Sequence, residues 1–471
     1  MAHSTARRRS HQIERLQKQF AQGGELPFAE VLSAERVERA LAEEGANWRE
    51  EVWTPLLTLW AFLGQVIGKD SEGSCLKAVM RVLSWLVSRG EPPCTPKTDP
   101  YCKARRRLPE SLFTRLLRET GQTLSRAVPA EWLWKGRRVK IADGTTVSMP
   151  DTPENQQAYP QAKTQKPGLG FPIARMVVVF CLACGTAIDA ALGTYQGKQT
   201  GENALLRSLK DSIAPGEVLL ADRCFSGYFD IAFWKQRAVD LVLRLHHLRT
   251  CDLRRGRRLG PNDHVVVWIK PKQRPAWMDE ETYARMPEEL EVREVRLRVD
   301  VPGFRTKNIV VVTTLLDAKR FPARDLADLY RLRWHAELDL RSLKSIVGMD
   351  VLRCKSPEMV RKEVWAQLLA YNLIRTVMAQ AADANACTPR DLSFTGALQA
   401  MKSFAERLQD LNAQAALVSE LHTQLLLAVG AHQVGDRPNR VEPRAIKRRP
   451  KPHDLLQQPR HLARKQLGAI C

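Results

Sequence analysis

The chain has 471 residues, of which 73 are lysine or arginine and 52 are aspartate or glutamate, so its formal net charge is +21 at pH 7. This length spans roughly three domains of ordinary size, which excludes a peptide or a disulfide-stapled miniprotein. A large positive excess on a chain that is 44% hydrophobic predicts a folded protein that binds a polyanion, and nucleic acid is the first candidate.

The apolar segments and the cysteines indicate a protein of the cytosol. The longest apolar stretch, residues 52–67, is interrupted by Pro55 and is too short to span a bilayer. The N-terminal sequence MAHSTARRRSHQ lacks the apolar segment of a secretory signal. Ten irregularly placed cysteines are typical of reduced thiols. Cys181 and Cys184 are spaced like half of a zinc site, but their apolar surroundings favour buried strand residues.

Residues 1–128 are predicted to form an all-helical domain, because apolar residues recur three and four apart in three segments up to residue 127. A basic cluster precedes the last of these helices and includes candidate phosphate contacts at Lys103, Arg105 and Arg106. A solvated basic face is an equally consistent interpretation of this cluster.

Residues 129–395 are predicted to form an α/β domain. Short β-branched runs predict three antiparallel strands, and alternating helix and strand follow up to residue 245. Residues 248–318 interrupt that alternation with a basic loop (RRGRR, 254–258) and further strand-like runs, which we interpret as an inserted β-rich subdomain. The three antiparallel strands are predicted over 139–147, 174–183 and 187–195.

The C-terminal part is predicted to contain helices over 322–345 and 357–382 and a weaker helical segment over 396–432. The tail, residues 433–471, contains ten lysines and arginines against three acidic residues. It has too few apolar residues to fold by itself and is predicted to be disordered. Arg448 and Arg449 in this tail are further candidate DNA contacts.

Two aspartates lie where a site is expected. Asp143 is inside an apolar strand (ADGTTV), where a carboxylate is costly unless a cation compensates it. Asp222 ends the strand EVLLAD, at the carboxyl edge where open α/β sheets carry their sites. Each aspartate alone also fits an ordinary turn or a helix cap.

The predicted helix over 322–345 carries four functional side chains: Tyr330, Arg333, Glu337 and Lys344. On a continuous helix these four positions fall within roughly 60° of one another, because each residue advances the helix by about 100°. An ion-paired, solvated helix face would give the same spacing.

These residues together resemble the DDE transposases of bacterial insertion sequences, in the insertion-sequence-four group. The resemblance rests on Asp143 in ADGTTV, Asp222 in LLADRCF and the Tyr330, Arg333, Glu337 and Lys344 signature, and it covers roughly residues 130–390. It implies a ribonuclease H-like catalytic core with an inserted β-rich subdomain, preceded by a helical domain that binds DNA ends.

The resemblance also implies the chemistry and the partners. Asp143, Asp222 and Glu337 would form a Mg²⁺-binding catalytic triad, for which Mn²⁺ substitutes, and Tyr330, Arg333 and Lys344 would contact DNA phosphates. Three carboxylates are hard oxygen donors of the kind Mg²⁺ prefers. The partners would be the terminal inverted repeats and target DNA, with a homodimer on paired ends, no membrane, and a location at the nucleoid of a bacterial cytoplasm.

Two alternatives remain open from the sequence. The first is a catalytically inactive or domesticated relative that binds transposon ends or regulates transposition. The second is a host nuclease with the same fold. Retention of all three carboxylates disfavours an inactive protein, because a buried acidic cluster is costly to keep without a use for it.

Overall fold

The computed structural model describes residues 34–44, 52–68, 70–88, 90–298, 308–410, 415–435 and 456–468. The candidate contacts Arg448 and Arg449 lie outside these residues. Within the tail, a helix is present over Arg460–Gly468, and a Cβ on Gly168 would lie 2.9 Å from the Pro459 ring. This part of the tail therefore has regular structure and contacts the body of the protein, although composition predicted no fold for it.

A single nine-stranded sheet organises the molecule, in the order β3-β2-β1-β4-β5-β9-β8-β7-β6. Strand β1 pairs with β4 and β4 with β5 in parallel, and the remaining neighbours are antiparallel. The strands are β1 Val139–Ser148, β2 Ile173–Cys181, β3 Ala187–Thr194, β4 Val218–Ala221, β5 Asp240–Arg244, β6 Arg257–Gly260, β7 Asp263–Ile269, β8 Glu289–Arg298 and β9 Asn308–Thr313.

The strands of the predicted β-rich insertion continue the sheet of the α/β domain. Strand β9 pairs with β5 through positions such as Leu243 and Val312, and β8, β7 and β6 follow outward. A buried ion pair fixes the extension, because Arg293 on β8 is fully buried and donates to Asp263 on β7 at 2.8 and 2.5 Å. Arg293 also donates to the Phe321 carbonyl at 2.7 Å, which ties the extension to the chain that leads into the next helix.

Fifteen α-helices within the described residues surround the sheet. They are α1 Ala34–Glu43, α2 Pro55–Ile67, α3 Cys75–Ser88, α4 Asp99–Arg107, α5 Glu110–Arg126, α6 Pro153–Ala158, α7 Glu202–Ser208, α8 Tyr228–Gln236, α9 Glu280–Ala284, α10 Ala323–Arg331, α11 Trp334–Arg341, α12 Pro357–Ala384, α13 Phe394–Asp410, α14 Ala415–Gly430 and α15 Arg460–Gly468. No helix in the described part of the chain is both long enough and apolar enough to cross a membrane.

Helix α12 is the centre of the largest hydrophobic core, and its length is buried on nearly every side. Leu112 and Leu116 of α5 pack in the same core as Leu369 and Ile374 of α12. Trp365 on α12 donates to Glu110 at the start of α5 at 2.9 Å. The boundary predicted near residue 128 therefore separates elements that share one core, since the N-terminal helices pack on α12 and on the sheet.

Candidate active site

Two aspartates occupy equivalent positions on the neighbouring parallel strands β1 and β4. The register pairs Ile141 with Leu220, Asp143 follows two residues later in β1, and Asp222 directly follows the last residue of β4. The two carboxylates are close enough that the charge of Asp222 raises the pKa of Asp143. Asp143 Oδ1 accepts a hydrogen bond from the Gly144 amide at 2.9 Å. Asp222 Oδ1 accepts from the Cys224 amide at 2.6 Å. The sheet topology therefore brings together two carboxylates that are far apart in sequence.

The signature residues lie on two helices and a π-helical turn instead of on one helix, which corrects the prediction of a continuous helix over 322–345. Tyr330 is on α10, Glu337 is in the first turn of α11, and Lys344 is in the π-helical turn Ser342–Val347. At the break, Arg333 N donates to the Tyr330 carbonyl at 3.1 Å, a bond three residues long. The angular positions around the helix axis that were calculated for one regular helix therefore do not apply across this break.

Arg333 lies between Asp143 on the sheet and Glu337 on α11. Its Nη2 lies 2.7 Å from Glu337 Oε1 and its Nη1 lies 3.8 Å from Asp143 Oδ2. The Arg333 and Asp143 side chains are each less than one-fifth exposed, whereas Glu337 is 39% exposed. The guanidinium thus supplies a positive charge between a carboxylate of the sheet and a carboxylate of α11.

Tyr330 is buried beside this pair, with 9% of its surface exposed. Burial raises the pKa of Tyr330 to about 12, while the nearby charges of Arg333 and Arg244 act to lower it. The phenol therefore stays protonated at neutral pH and is available as a hydrogen-bond donor.

The electrostatics of Asp143 indicate a site that favours a cation. Burial, together with the charges of Asp222 and Glu337, raises the pKa of Asp143 to about 6, while the Gly144 amide and Arg333 act to lower it. A carboxylate held among like charges gains most from a bound positive charge. The ligand atoms of these three carboxylates do not all lie within 4.8 Å of one another; among the described residues, the trio that meets this distance is Cys251, His264 and Glu294.

The remaining predicted contacts are placed apart from this cluster. Lys344 is half-buried in the π-helical turn after α11. Lys103, Arg105 and Arg106 lie on α4, which precedes α5. Arg105 donates to Gln65 Oε1 at 2.9 Å and stacks over Phe62 at 4.8 Å, so its role is internal packing, whereas Lys103 and Arg106 are exposed.

A fourth carboxylate, Glu202, was not predicted from the sequence. It lies in the first turn of α7, and a Cβ on Gly144 would lie 2.3 Å from its carboxyl carbon. Burial raises the pKa of Glu202, as does the charge of Asp222, while Arg175 lowers it. The only signal in the sequence was an acidic residue at a helix start, which is a common feature of surface helices.

A buried charge network positions α11, and no sequence pattern indicated it. Asp339, two residues after Glu337, is fully buried and pairs with Arg375 and Arg390. Arg390 also donates to the Leu182 carbonyl at 2.6 Å, just beyond β2. The helix that carries Glu337 is therefore tied both to α12 and to the sheet.

Trp334 and Leu340 differ in burial. Trp334 is 52% exposed at the start of α11, whereas Leu340 on the same helix is buried. Cys181 and Cys184 are both buried and free, as predicted, but only Cys181 is in a strand, since Cys184 lies in the turn after β2.

The family model and the sequence relatives that match this chain agree on one protein family. The family model described as Transposase DDE domain matches residues 134–373, just over half of the chain. Transposase InsG for insertion sequence element IS4 of Escherichia coli (strain K12) is 28% identical over 437 residues, covering 90% of this chain and 92% of that protein. The transposase for insertion sequence element IS421 of Escherichia coli is 39% identical over 74 residues, covering 16% of this chain and 20% of that protein.

Among solved structures, the cryo-EM structure of the piggyBac transposase synaptic complex with hairpin DNA aligns with 85% of this chain and 84% of that chain, at 11% identity and a TM-score of 0.44. A TM-score this low does not define a fold, so the architecture is described by the strand order alone. The match to the family model and the sequence alignment with InsG along 90% of the chain assign the protein to a family. The chain belongs to the DDE transposases and is an insertion-sequence transposase of the IS4 type.

Proposed function

We propose that this transposase cuts the ends of its element and joins them to target DNA in a metal-dependent, cut-and-paste reaction at Asp143, Asp222 and Glu337. The proposal is supported by the parallel pairing of β1 with β4, whose ends carry Asp143 and Asp222, by the effect of the Asp222 and Glu337 charges on Asp143, and by Arg333 between Asp143 and Glu337. Hydrolysis would expose a 3′-hydroxyl, and transesterification would then join that hydroxyl to the target strand.

A ribonuclease H-like core is supported by one half of the sheet. Strands β3, β2 and β1 are antiparallel neighbours, and β1, β4 and β5 run parallel beside them. In such a core, the carboxyl edge of the central parallel strands carries the acidic residues, which matches the positions of Asp143 and Asp222. Strands β6 to β9 would then correspond to the insertion between the second aspartate and the glutamate.

The donor set fits a hard divalent cation. Asp143, Asp222 and Glu337 offer only carboxylate oxygens, the ligands that Mg²⁺ and Mn²⁺ prefer. When bound, such a cation activates the attacking oxygen and stabilises the leaving one. The raised pKa of Asp143 supports this proposal, because a cation would replace a proton that the crowded carboxylates otherwise favour.

Arg333, Tyr330 and Lys344 would position the scissile DNA strand. A guanidinium can bind a phosphate with two parallel hydrogen bonds, and Arg333 lies within 4 Å of both Asp143 and Glu337, at 3.8 and 2.7 Å. The protonated Tyr330 hydroxyl would donate to a phosphate oxygen, and Lys344 would add a point charge. Phosphate contacts of this type set the register of the DNA and carry no base specificity.

The proposed partners are the terminal inverted repeats and target DNA, with two copies of the chain acting on paired ends. The net charge of +21 supports a polyanionic partner. Exposed cations on α4, Lys103 and Arg106, are the described candidates for end binding in the N-terminal helices. A bacterial relative along most of the chain supports a place of action at the nucleoid in the cytoplasm.

The proposal is tested with Asp143→Ala, Asp222→Ala and Glu337→Ala in a cleavage assay on the element's own ends. Each variant should lose cleavage while it keeps end binding, because a lost ligand removes the metal but leaves the basic contacts intact. Mn²⁺ should replace Mg²⁺, and Ca²⁺ should support binding without cleavage because its looser coordination misplaces the attacking oxygen.

Asp328→Ala is the matched control, because Asp328 is an exposed carboxylate on α10 whose partner is Arg331 at 3.6 Å. It should cleave at the wild-type rate. Wild-type cleavage by any of the three triad variants would remove that residue from the triad. Metal-dependent binding without cleavage by the wild-type protein would instead favour an inactive end-binding protein.

A further inference from the structure

A second group of potential metal ligands lies in the strand extension, away from the carboxylates at the ends of β1 and β4. Cys251 follows β5 in the loop before β6, His264 is on β7, and Glu294 is on β8. Their ligand atoms all lie within 4.8 Å of one another. His264 and Glu294 are cross-strand partners in the β7–β8 register, so the sheet itself sets their separation.

His264 and Glu294 are each oriented by a hydrogen bond at the polar atom that faces away from the other two ligands. His264 Nδ1 lies 2.7 Å from the Arg255 carbonyl oxygen. Because that oxygen can only accept, Nδ1 carries the hydrogen, and a neutral ring turns the lone pair of Nε2 towards the cluster. Glu294 Oε1 accepts from Trp268 Nε1 at 3.1 Å, which leaves Oε2 facing the same point. Outer hydrogen bonds of this kind accompany histidine and carboxylate ligands in metal sites.

The inward distances match the edges of a zinc coordination tetrahedron. His264 Nε2 lies 3.2 Å from Glu294 Oε2 and 3.7 Å from Cys251 Sγ. Zinc bonds of about 2.0–2.1 Å to nitrogen, about 2.0–2.2 Å to oxygen and about 2.3 Å to sulfur give tetrahedral edges of about 3.3 and 3.6 Å. Two lone-pair atoms as close as Nε2 and Oε2 need a positive charge between them, either a proton or a metal ion.

We propose that Cys251, His264 and Glu294 bind one Zn²⁺ ion per chain, with a water molecule at the half-exposed side of Cys251 as the fourth ligand. The thiolate and imidazole select a borderline-soft ion such as Zn²⁺ over the Mg²⁺ that suits an all-carboxylate site. His264 and Glu294 are both at least 95% buried, so the ion would be held by groups that are fixed before it binds.

The ion would attach an arginine-rich loop to the sheet, and we call this attachment the clip. Residues 254–258 (RRGRR) lie between Cys251 and His264, and all five are exposed. Zn²⁺ would close a ring between the loop and strands β7 and β8, and closure of a flexible loop limits its conformations. The clipped loop would present four guanidinium groups in a fixed position, which suits a phosphate backbone. This inference does not depend on the proposed triad.

The test uses the full-length protein, stripped of metal under reducing conditions and titrated with Zn²⁺ and with Co²⁺ as a spectroscopic probe. One equivalent of Zn²⁺ should remain after dialysis against excess Mg²⁺. Co²⁺ should give a thiolate-to-metal charge-transfer absorption together with visible bands of tetrahedral intensity. A wild-type protein that retains no Zn²⁺ and shows no thiolate band overturns the proposal without any variant.

Variants then assign the ligands. Cys251→Ser should lose the thiolate band and His264→Gln should lose stoichiometric Zn²⁺. The matched control is Cys224→Ser, because Cys224 is an exposed thiol beside the Asp222 carboxylate and should leave both signals unchanged. A band that disappears with Cys224→Ser but persists in Cys251→Ser overturns the assignment.

A protease readout tests the clip itself. Trypsin should cleave the 254–258 segment faster after Zn²⁺ is removed from the wild-type protein, because flexible exposed loops are the preferred sites of cleavage. The Cys251→Ser variant should be cleaved at the faster rate with or without Zn²⁺. A wild-type rate that does not respond to Zn²⁺ rules out the clip.

Discussion

Gly144 and Glu202 are so close that a side chain on the glycine would collide with the glutamate. A Cβ at position 144 would lie 2.3 Å from the carboxyl carbon of Glu202 and 2.4 Å from one of its oxygens. Because Gly144 directly follows Asp143, the missing side chain leaves room for a fourth carboxylate beside the proposed triad. The position of Glu202 therefore depends on a glycine in β1.

Gly144→Ala should displace the Glu202 carboxylate and reduce the cleavage rate, while the free energy of unfolding changes by less than about 1 kcal/mol. The stability effect is small because the displaced atoms are the end of a flexible side chain. Glu202→Ala should slow cleavage to a similar extent, and the double variant should be no slower than either single variant, since both act on one group.

Gly201→Ala is the control for this pair, because a Cβ there meets nothing within 4 Å. It should cleave at the wild-type rate. Additive losses in the Gly144→Ala, Glu202→Ala double variant would show that the glycine acts on the site by another route.

Asp143→Asn should stabilise the metal-free protein at about pH 8 by about 1–3 kcal/mol, measured by urea unfolding in a chelator. The Asp143 pKa is raised from its ordinary value of 3.8 to about 6 in the folded state. Below pH 3.8 the group is protonated in both states and contributes nothing; as pH rises towards 6, folding disfavours the charged form and stability falls.

The advantage of Asp143→Asn should therefore be full above pH 6 and shrink as pH falls towards 4. Mn²⁺ should raise the melting temperature of the wild-type protein and not that of the variant, because the amide is a poor ligand for a hard cation. An unchanged difference between the two proteins from pH 8 to pH 4 would contradict a raised pKa at Asp143.

Arg333→Lys should slow cleavage of paired ends by about 10- to 100-fold, because a hydrogen bond to a charged group contributes about 1.5–3 kcal/mol and lysine cannot make two parallel bonds. The melting temperature should change little by comparison. Lys344→Ala should give a similar separation between cleavage and stability, measured in the same assays.

Arg341→Lys provides the comparison on the same helix, because Arg341 is exposed at the end of α11. It should retain wild-type cleavage. Equal rates for Arg333→Lys and Arg341→Lys would mean that Arg333 is only the ion-pair partner of Glu337.

Asp339→Ala should lower the free energy of unfolding by about 3–5 kcal/mol, because it leaves the buried Arg375 and Arg390 without their carboxylate. Asp328→Ala, which removes an exposed pair on α10, should cost less than about 1 kcal/mol. Urea unfolding of the two variants measures the difference. A small loss for Asp339→Ala would mean that backbone carbonyls and Tyr371 suffice to satisfy the two arginines.

Local patterns predicted the first three strands, because β-branched runs act over a few residues, whereas the proposed triad came from the family resemblance. The pairing of β9 with β5 was missed, since it joins Val242 to Thr313 and nothing local encodes so distant a contact. The helix break at Leu332 and Arg333 was missed because both residues favour helix. Cys251, His264 and Glu294 were missed because their spacing matches no ligand motif.

The width of the continuous sheet sets a distance along any duplex that lies across it. Five strand spacings separate β4, which Asp222 directly follows, from β6, which begins at Arg257, and at about 4.8 Å each they span about 24 Å. One strand of B-form DNA advances about 3.4 Å per nucleotide. On a duplex that lies across the sheet, the phosphate at the proposed triad and a phosphate at Arg257 would therefore lie about seven base pairs apart. Since hydrogen-bonded strands resist stretching, the sheet would keep this spacing between the two contacted phosphates constant. Phosphate-ethylation interference on the element's ends would measure the spacing.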